Sequence, residues 1–328
     1  MLNSASDRAT IPTIDVGALR SGSRAELDML AAEIGAVARE IGFFSVVNHG
    51  ISDDVVQAAF EASRAFFALP LAVKEHVAVE RSPIYRGYAR NGLEQFDEAF
   101  PPDAKESFDI GPDLAADDPA VVAREPFRDV NLWPDVATLP GFRRTITAYF
   151  DAVLALTIDL HRPIAVDLGL DEDYFTRRYD RPLPVLRLLH YPPLPGRFDG
   201  ALHGAAPHTD YGNLTLLAQD NVGGLEVRQR NGDWIRVEPN PAAFVCNIGD
   251  CLMRWSNDVY ASTLHRVINA TGRERYSIAF FGDPNPNALV SPVPSCVTVD
   301  RPAKYPPIDY LDYLKMRLAG AYPTIEAT

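Results

Sequence analysis

The sequence predicts a mixed α+β protein whose core is a double-stranded β-helix, or jelly roll, with flanking helices. Three observations predict it. From about residue 185 to 281, short β-prone runs alternate with glycine, proline and asparagine, the punctuation of a sandwich or barrel. Before about residue 170, apolar residues recur at helical spacing instead. No solenoid-length repeat, low-complexity tract or true linker separates the two patterns, so helices and barrel should form one cooperative unit. Within that unit we expect a helical and covering region over 1–180 that lends strands to the main sheet, a jelly-roll core over 181–285, and a helical extension over 286–328.

The first helix should begin after Ser23, which with Glu26 forms a capping box, and bury Leu27, Leu30, Ile34, Val37 and Ile41. Gly42 ends it, and Phe43 to Val47 is an apolar, β-prone run suited to the main sheet. A second helix is expected over 53–68, before Pro70. Residues 97–139 are rich in proline and acid and read as irregular covering structure with one strand-like element over 107–110. A long helix over 141–168 should turn Ile146, Phe150, Val153, Leu154, Ile158 and Leu160 to a core, with a kink at Pro163. Strands follow at 185–191, 214–219, 225–228, 234–237, 243–248, 263–268 and 276–281. Between the third and fourth of these, Asn231-Gly232 is the strongest hairpin signal, because both residues tolerate the positive φ of a tight turn. Residues 308–319 read as a helix over one end of the barrel.

Composition narrows the function. With 47% hydrophobic and 23% charged residues in 328, the chain is ordinary globular material with a sizeable core. A formal net charge of −13 argues against a nucleic-acid partner, whose phosphates an acidic surface repels, and favours a small molecule. No apolar stretch approaches the roughly 18–20 residues that span a bilayer, and no basic-then-apolar leader opens the chain, so no membrane partner and a cytoplasmic location are expected. Cys246, Cys251 and Cys296 are too few and too unevenly spaced for a disulfide framework or a metal site, and should simply pack.

Five residues carry chemistry. In Pro207-His208-Thr209-Asp210-Tyr211 an extended backbone would point His208 and Asp210 to one face. His265 lies in another β-branched stretch, so sheet pairing would have to bring the three together. Two imidazoles and a carboxylate leave about three octahedral positions open, the facial arrangement of non-haem Fe(II) oxygenases, although zinc accepts the same donors. Downstream, period two sends Arg275, Ser277 and Ala279 one way and Tyr276, Ile278 and Phe280 the other. A guanidinium fork with a hydroxyl beside it matches a carboxylate. His49, His76 and His161 have no ligand-type spacing and read as satisfied polar residues, whereas His190 and His203 are close enough in sequence to line the site.

These residues sit in an ordered set of motifs that resembles the isopenicillin N synthase-like Fe(II)/2-oxoglutarate-dependent dioxygenases over most of the chain. Ile11-Pro12-Thr13-Ile14-Asp15 and Gly42 to Ile51 look like that family's amino-terminal signature; His190-Tyr191-Pro192-Pro193, Ala218 to Leu225 and Asn247-Ile248-Gly249-Asp250 match further on. The resemblance implies that His208, Asp210 and His265 hold Fe(II). It also implies that Arg275 and Ser277, helped by Tyr191, bind the far carboxylate of the cosubstrate 2-oxoglutarate while its keto acid end chelates the metal. With O2, such an enzyme would oxidise a C–H bond of a small-molecule metabolite, hydroxylation being the default, and release succinate and CO2. One departure is Leu189, where the family often has asparagine. In similar enzymes the segments of Tyr85-Arg86-Gly87-Tyr88 and Phe108 approach the iron, while Phe281 lies just beyond the dock strand; Arg86 would suit a substrate carboxylate or equally a surface ion pair. Three other readings stay open: a 2-oxoglutarate-independent oxidase or cyclase with the same ligands, a zinc hydrolase, and a non-catalytic jelly-roll binding protein.

Overall fold

A computed structural model describes residues 10–95, 100–193, 203–269 and 271–321. The chain enters the main sheet at β1 (Thr13–Asp15), then forms α1 (Arg24–Glu40), β2 (Phe43–Val47) and α2 (Asp53–Phe67). The short α3 (Leu71–Lys74) leads to β3 (Gly87–Ala89) and β4 (Glu106–Ile110), and α4 (Pro119–Val122) precedes the long α5 (Phe142–Asp167). The barrel strands are β5 (Val185–Tyr191), β6 (Ala205–His208), β7 (Leu214–Gln219), β8 (Leu225–Arg228), β9 (Trp234–Arg236) and β10 (Phe244–Ile248). After α6 (Asp250–Trp255) come β11 (His265–Val267), β12 (Arg275–Gly282), β13 (Leu289–Val290), β14 (Ile308–Asp309) and α7 (Tyr310–Ala321).

Eight strands form the major sheet in the order β1-β2-β10-β7-β12-β5-β4-β3, and β6-β11-β8-β9 form the minor sheet facing it. The major sheet is buried on both faces, which is why its strands are so apolar. Phe44, Val46, Leu186, Leu188, Cys246, Ile278 and Phe280 pack on the helical layer of α1, α2 and α5. Their sequence neighbours Phe43, Leu189, Tyr191, Val245 and Ala279 face the minor sheet. Period-two alternation therefore divides one sheet between a structural core and the inside of the barrel.

The helical layer follows the expected caps. The Ser23 hydroxyl accepts from the Glu26 N–H at 3.3 Å, and Ser52 caps α2 in the same way through Val55. Gly42 takes φ +67° where a Cβ would lie 2.0 Å from the Ala261 carbonyl oxygen, so only glycine fits between α1 and β2. Helix α5 continues past Pro163 to Asp167. Among the described residues no helix is long and apolar enough to cross a membrane, and all three cysteines are free and buried.

Two details differ from expectation. The β8–β9 hairpin forms, but its loop is longer than two residues: Gly232 N–H bonds the Gln229 carbonyl and Gln229 N–H the Asp233 carbonyl. Only Gly232 takes positive φ (+94°); Asn231 instead spends its side chain on Asp233. Residues 308 and 309 are a short strand against β13, so the last helix starts at Tyr310, where the new pairing ends.

Candidate active site

Strand β11 pairs antiparallel with β6 so that His265 lies directly opposite His208, and their rings stand 4.3 Å apart. Strand β6 ends at His208, and Asp210 reaches back from just beyond it. Asp210 Oδ1 is 3.8 Å from His208 Nε2 and 3.7 Å from His265 Nε2. The donor atoms of the three residues lie within 4.8 Å of one another, the only such group of three or more among the described residues.

The surrounding hydrogen bonds leave those donors aimed at a common point. His208 Nδ1 faces the Ala206 carbonyl at 2.7 Å and His265 Nδ1 the Thr263 carbonyl at 3.2 Å, which places the proton on Nδ1 and the lone pair on Nε2. Asp210 Oδ2 accepts from the Thr215 hydroxyl at 2.6 Å and from the Asn247 amide at 2.8 Å, so Oδ1 is the oxygen left over. Burial works against a charged Asp210, but His265, His208 and these two hydrogen bonds outweigh it and hold the carboxyl below its usual range. Burial and the neighbouring His265 push His208 well below the usual imidazole range. A carboxylate and neutral imidazoles are the protonation states that bind a divalent cation. The donor set fits Fe(II): three mixed N and O ligands on one side of a cavity, with the other side open.

That cavity, about 250 Å³, lies inside the barrel and takes Arg275, Ser277, Ala279 and Phe281 from one face of β12. Arg275 is fully buried. It donates to Ser277 Oγ at 3.1 Å and to Gln219 Oε1 at 3.0 Å, and its Cζ sits 4.6 Å from the Tyr191 ring centroid. Its Nε has no hydrogen-bond partner and, among the described residues, no carboxylate pairs with it. A buried guanidinium without a counter-charge calls for an anionic ligand, and a dicarboxylate such as 2-oxoglutarate fits it. Leu189 also faces the inside of the barrel and adds an apolar surface there.

Of the expected substrate-side residues, Tyr85, Arg86 and Phe281 line the cavity, Tyr85 in a left-handed conformation at φ +59°. Two expectations need correction. Phe108 does not line it: on β4 its side chain points away from the barrel and packs on Phe66, Phe142 and Trp133, and the next residue, Asp109, faces the cavity. Arg86 is not available for a substrate carboxylate, because its terminal nitrogens donate to the Asp129 and Phe127 carbonyls at 3.0 and 3.1 Å. His190 lies outside the cavity, bonded to Glu106 and stacked on Tyr276. His203 is buried against Phe100, and His161 is a core histidine bonded to the Thr157 carbonyl.

Sequence reasoning missed Lys105, Asp109, Arg187, Asp283, Leu314 and Leu318, all of which line the cavity. Arg187 carried a signal, being a charged residue in the apolar run of β5, whereas Asp109 carried little because β4 also holds Glu106 and Ser107. Leu314 and Leu318 carried none, since nothing local shows which residues of α7, the helix expected over one end of the barrel, turn into the cavity.

Residues 11–136 match the family described as non-haem dioxygenase in morphine synthesis N-terminal, and residues 182–284 match the 2OG-Fe(II) oxygenase superfamily. The 2-oxoglutarate-Fe(II) type oxidoreductase hxnY of Emericella nidulans is 36% identical over 291 residues, covering 87% of this chain and 83% of that protein. Among solved structures, a full-length Neurospora crassa protein in complex with alpha-KG is 35% identical with a TM-score of 0.85, covering 97% of this chain and 98% of that one. A further structure of that Neurospora crassa protein holds alpha-KG and thymine. JOX2, in complex with 2OG, Fe and JA, is 31% identical with a TM-score of 0.76 over 94% of this chain and 85% of that one.

Proposed function

The chain belongs to the 2OG-Fe(II) oxygenase superfamily, and from that premise we propose that it hydroxylates a C–H bond of a small-molecule metabolite, with His208, Asp210 and His265 holding the metal. Enzymes of this family use Fe(II), 2-oxoglutarate and O2. When bound, these supply an oxidation in which 2-oxoglutarate loses CO2 to become succinate, one oxygen atom ending in succinate and the other in the substrate.

The protein's own residues divide the remaining work. Arg275 and Ser277 dock the far carboxylate of the cosubstrate, Gln219 accepts a hydrogen bond from the guanidinium and so fixes its position, and the Tyr191 ring lies against it. Thr215 and Asn247 orient Asp210, and two backbone carbonyls orient the histidines. Apolar walls from Val185, Leu217, Leu314 and Leu318 exclude water and hold a substrate carbon within reach. The observation that carries this reading is the buried, acid-free Arg275 guanidinium in the same cavity as the three-ligand cluster. Small molecules bound together with the cosubstrate in the Neurospora crassa protein and in JOX2 support it.

Assembly with Fe(II) under anaerobic conditions, then oxygen uptake and succinate release across a substrate library, tests it. Succinate should form in step with a product carrying one added oxygen. Turnover without succinate would instead favour an oxidase that draws all its electrons from the substrate, and turnover without oxygen a hydrolase.

A further inference from the structure

The cations on the substrate side of the cavity are already paired inside the protein, and that pairing says what the cavity can accept. Lys105 Nζ lies 2.9 Å from Glu94 and also bonds Asp103. Arg187 lies 2.6 Å from Asp109 and 3.0 Å from Glu94, with its Nε bonded to the same Asp109 carboxylate at 2.9 Å. Among the described residues, three acids therefore face two bases in one buried network. Asp103 ties that network to the metal side by accepting the Ala206 N–H at 2.9 Å, two residues before His208. The third cation lining the cavity, Arg86, is taken up by backbone carbonyls. Asp283, another cavity-lining acid, has an Oδ1 that accepts no hydrogen bond from the described residues and adds no cation to this wall. Once Arg275 is assigned to the cosubstrate, no cation of the described residues on this wall is left without an acid or a carbonyl against it.

Resting on the function proposed above, we propose that the substrate is uncharged: a small, mostly apolar molecule, such as an amide, lactam, ketone or neutral heterocycle, whose polar edge meets the Arg187–Asp109 pair. Carboxylic acids are excluded. An anion entering this cavity would lose its water, meet apolar walls, and have to displace Asp109 or Glu94 from a bidentate or bridged ion pair. A neutral polar edge can instead share the donor of Arg187 and the acceptor of Asp109 without breaking either. Phe281, with the Arg187 guanidinium 5.9 Å from its ring centroid, offers a flat apolar face beside that edge.

The test is binding to the protein loaded with Fe(II) and 2-oxoglutarate in the absence of oxygen, read from perturbation of the metal-to-cosubstrate absorption band. A charge-sorted library should contain matched pairs that share a skeleton, including indole-3-acetamide with indole-3-acetate and thymine with uracil-5-carboxylate. Uncharged members should perturb the band at concentrations at least tenfold below those of their acids. In Asp109→Asn, which strips Arg187 of its main counter-charge, that ratio should shrink at least tenfold towards the acids. Glu94→Gln, which relieves both cations at once, should shift it the same way and serves if the first variant does not fold. Acids binding as well as their neutral partners, a library in which no uncharged member registers, or a ratio unmoved in the folded variants would each overturn the proposal. If no absorption band forms, the assignment of iron and cosubstrate fails first, and that failure is visible before any substrate is added.

Discussion

Arg275 is the residue at which the proposed function is most exposed to test. Replacing it with Gln keeps part of the hydrogen bonding to Ser277 and Gln219 but removes the charge. Truncating one partner of a buried charge pair costs about 2–5 kcal/mol, so the 2-oxoglutarate concentration for half-maximal rate should rise about 30-fold or more while iron content stays unchanged. An unaltered requirement would show that the cosubstrate docks elsewhere. Asn247 makes a subtler case. Its amide and the Thr215 hydroxyl occupy Asp210 Oδ2 and thereby choose Oδ1 as the outward atom. Removing such an orienting partner typically lowers metal affinity about 10–100-fold. Asn247→Ala should therefore lose iron on dialysis against a mild chelator at about 10-fold lower chelator concentration than the parent, with an unchanged far-ultraviolet spectrum. Equal retention would reduce Asn247 to a packing residue.

At the scale of elements, the strands were the most legible part of the chain, and the reason is period two. Arg275, Ser277 and Ala279 face the cavity, and Tyr276, Ile278 and Phe280 the helices, as their spacing requires. The same rule shows why Phe108 was misplaced. Its neighbourhood resembled a cavity segment, but on β4 the alternate residue, Asp109, faces inward, and a strand buried on both faces does not announce which side is which. Helix α6, six residues long, is too short to show periodicity. Helix α7 was visible as a helix over one end of the barrel, but the face it turns inward was not, because that depends on distant partners. The Tyr313 hydroxyl donates to the Tyr211 carbonyl at 2.9 Å, and Arg317 pairs at 2.6 Å with Asp250, which also accepts from Thr209 and Ser262. These contacts set Leu314 and Leu318 over the cavity. Ending the chain after Asp309 should leave iron and 2-oxoglutarate binding within about threefold, since no ligand or dock residue is lost. Succinate released per product should rise, because an unroofed substrate is held less firmly. Product-coupled turnover as tight as in the full chain would show that α7 does not form part of the substrate wall.

For the molecule as a whole, two buried groups pull its pH stability in opposite directions. Burial pushes His161 down to about 4, only partly opposed by the Thr157 carbonyl. Between that value and the ordinary imidazole value near 6.5, the unfolded chain binds a proton that the native state refuses, so stability rises with pH across this window, by about 3 kcal/mol in all. Burial raises Asp283 to about 7; the Tyr310 hydroxyl opposes that shift, the charge of Asp210 adds to it, and the Asn213 N–H opposes it again. Here the native state keeps a proton that the unfolded chain gives up near pH 4, so stability falls as pH rises from about 4 to 7, by roughly 4 kcal/mol. The two ramps overlap and largely cancel, which should leave the metal-free protein's stability only weakly dependent on these groups through the acid range. Asp283→Asn removes the falling ramp alone. Urea unfolding of the metal-free variant and parent at pH 4.5 and 7.0 should show the variant gaining on the parent with pH, by about 3 kcal/mol between the two values, while all shared carboxylates drop out of the comparison. A difference that stays constant with pH would mean that Asp283 is already ionised in the fold. Its place against Gly212, where an added Cβ would lie 2.0 Å from Oδ1, would then reflect packing rather than a buried neutral acid.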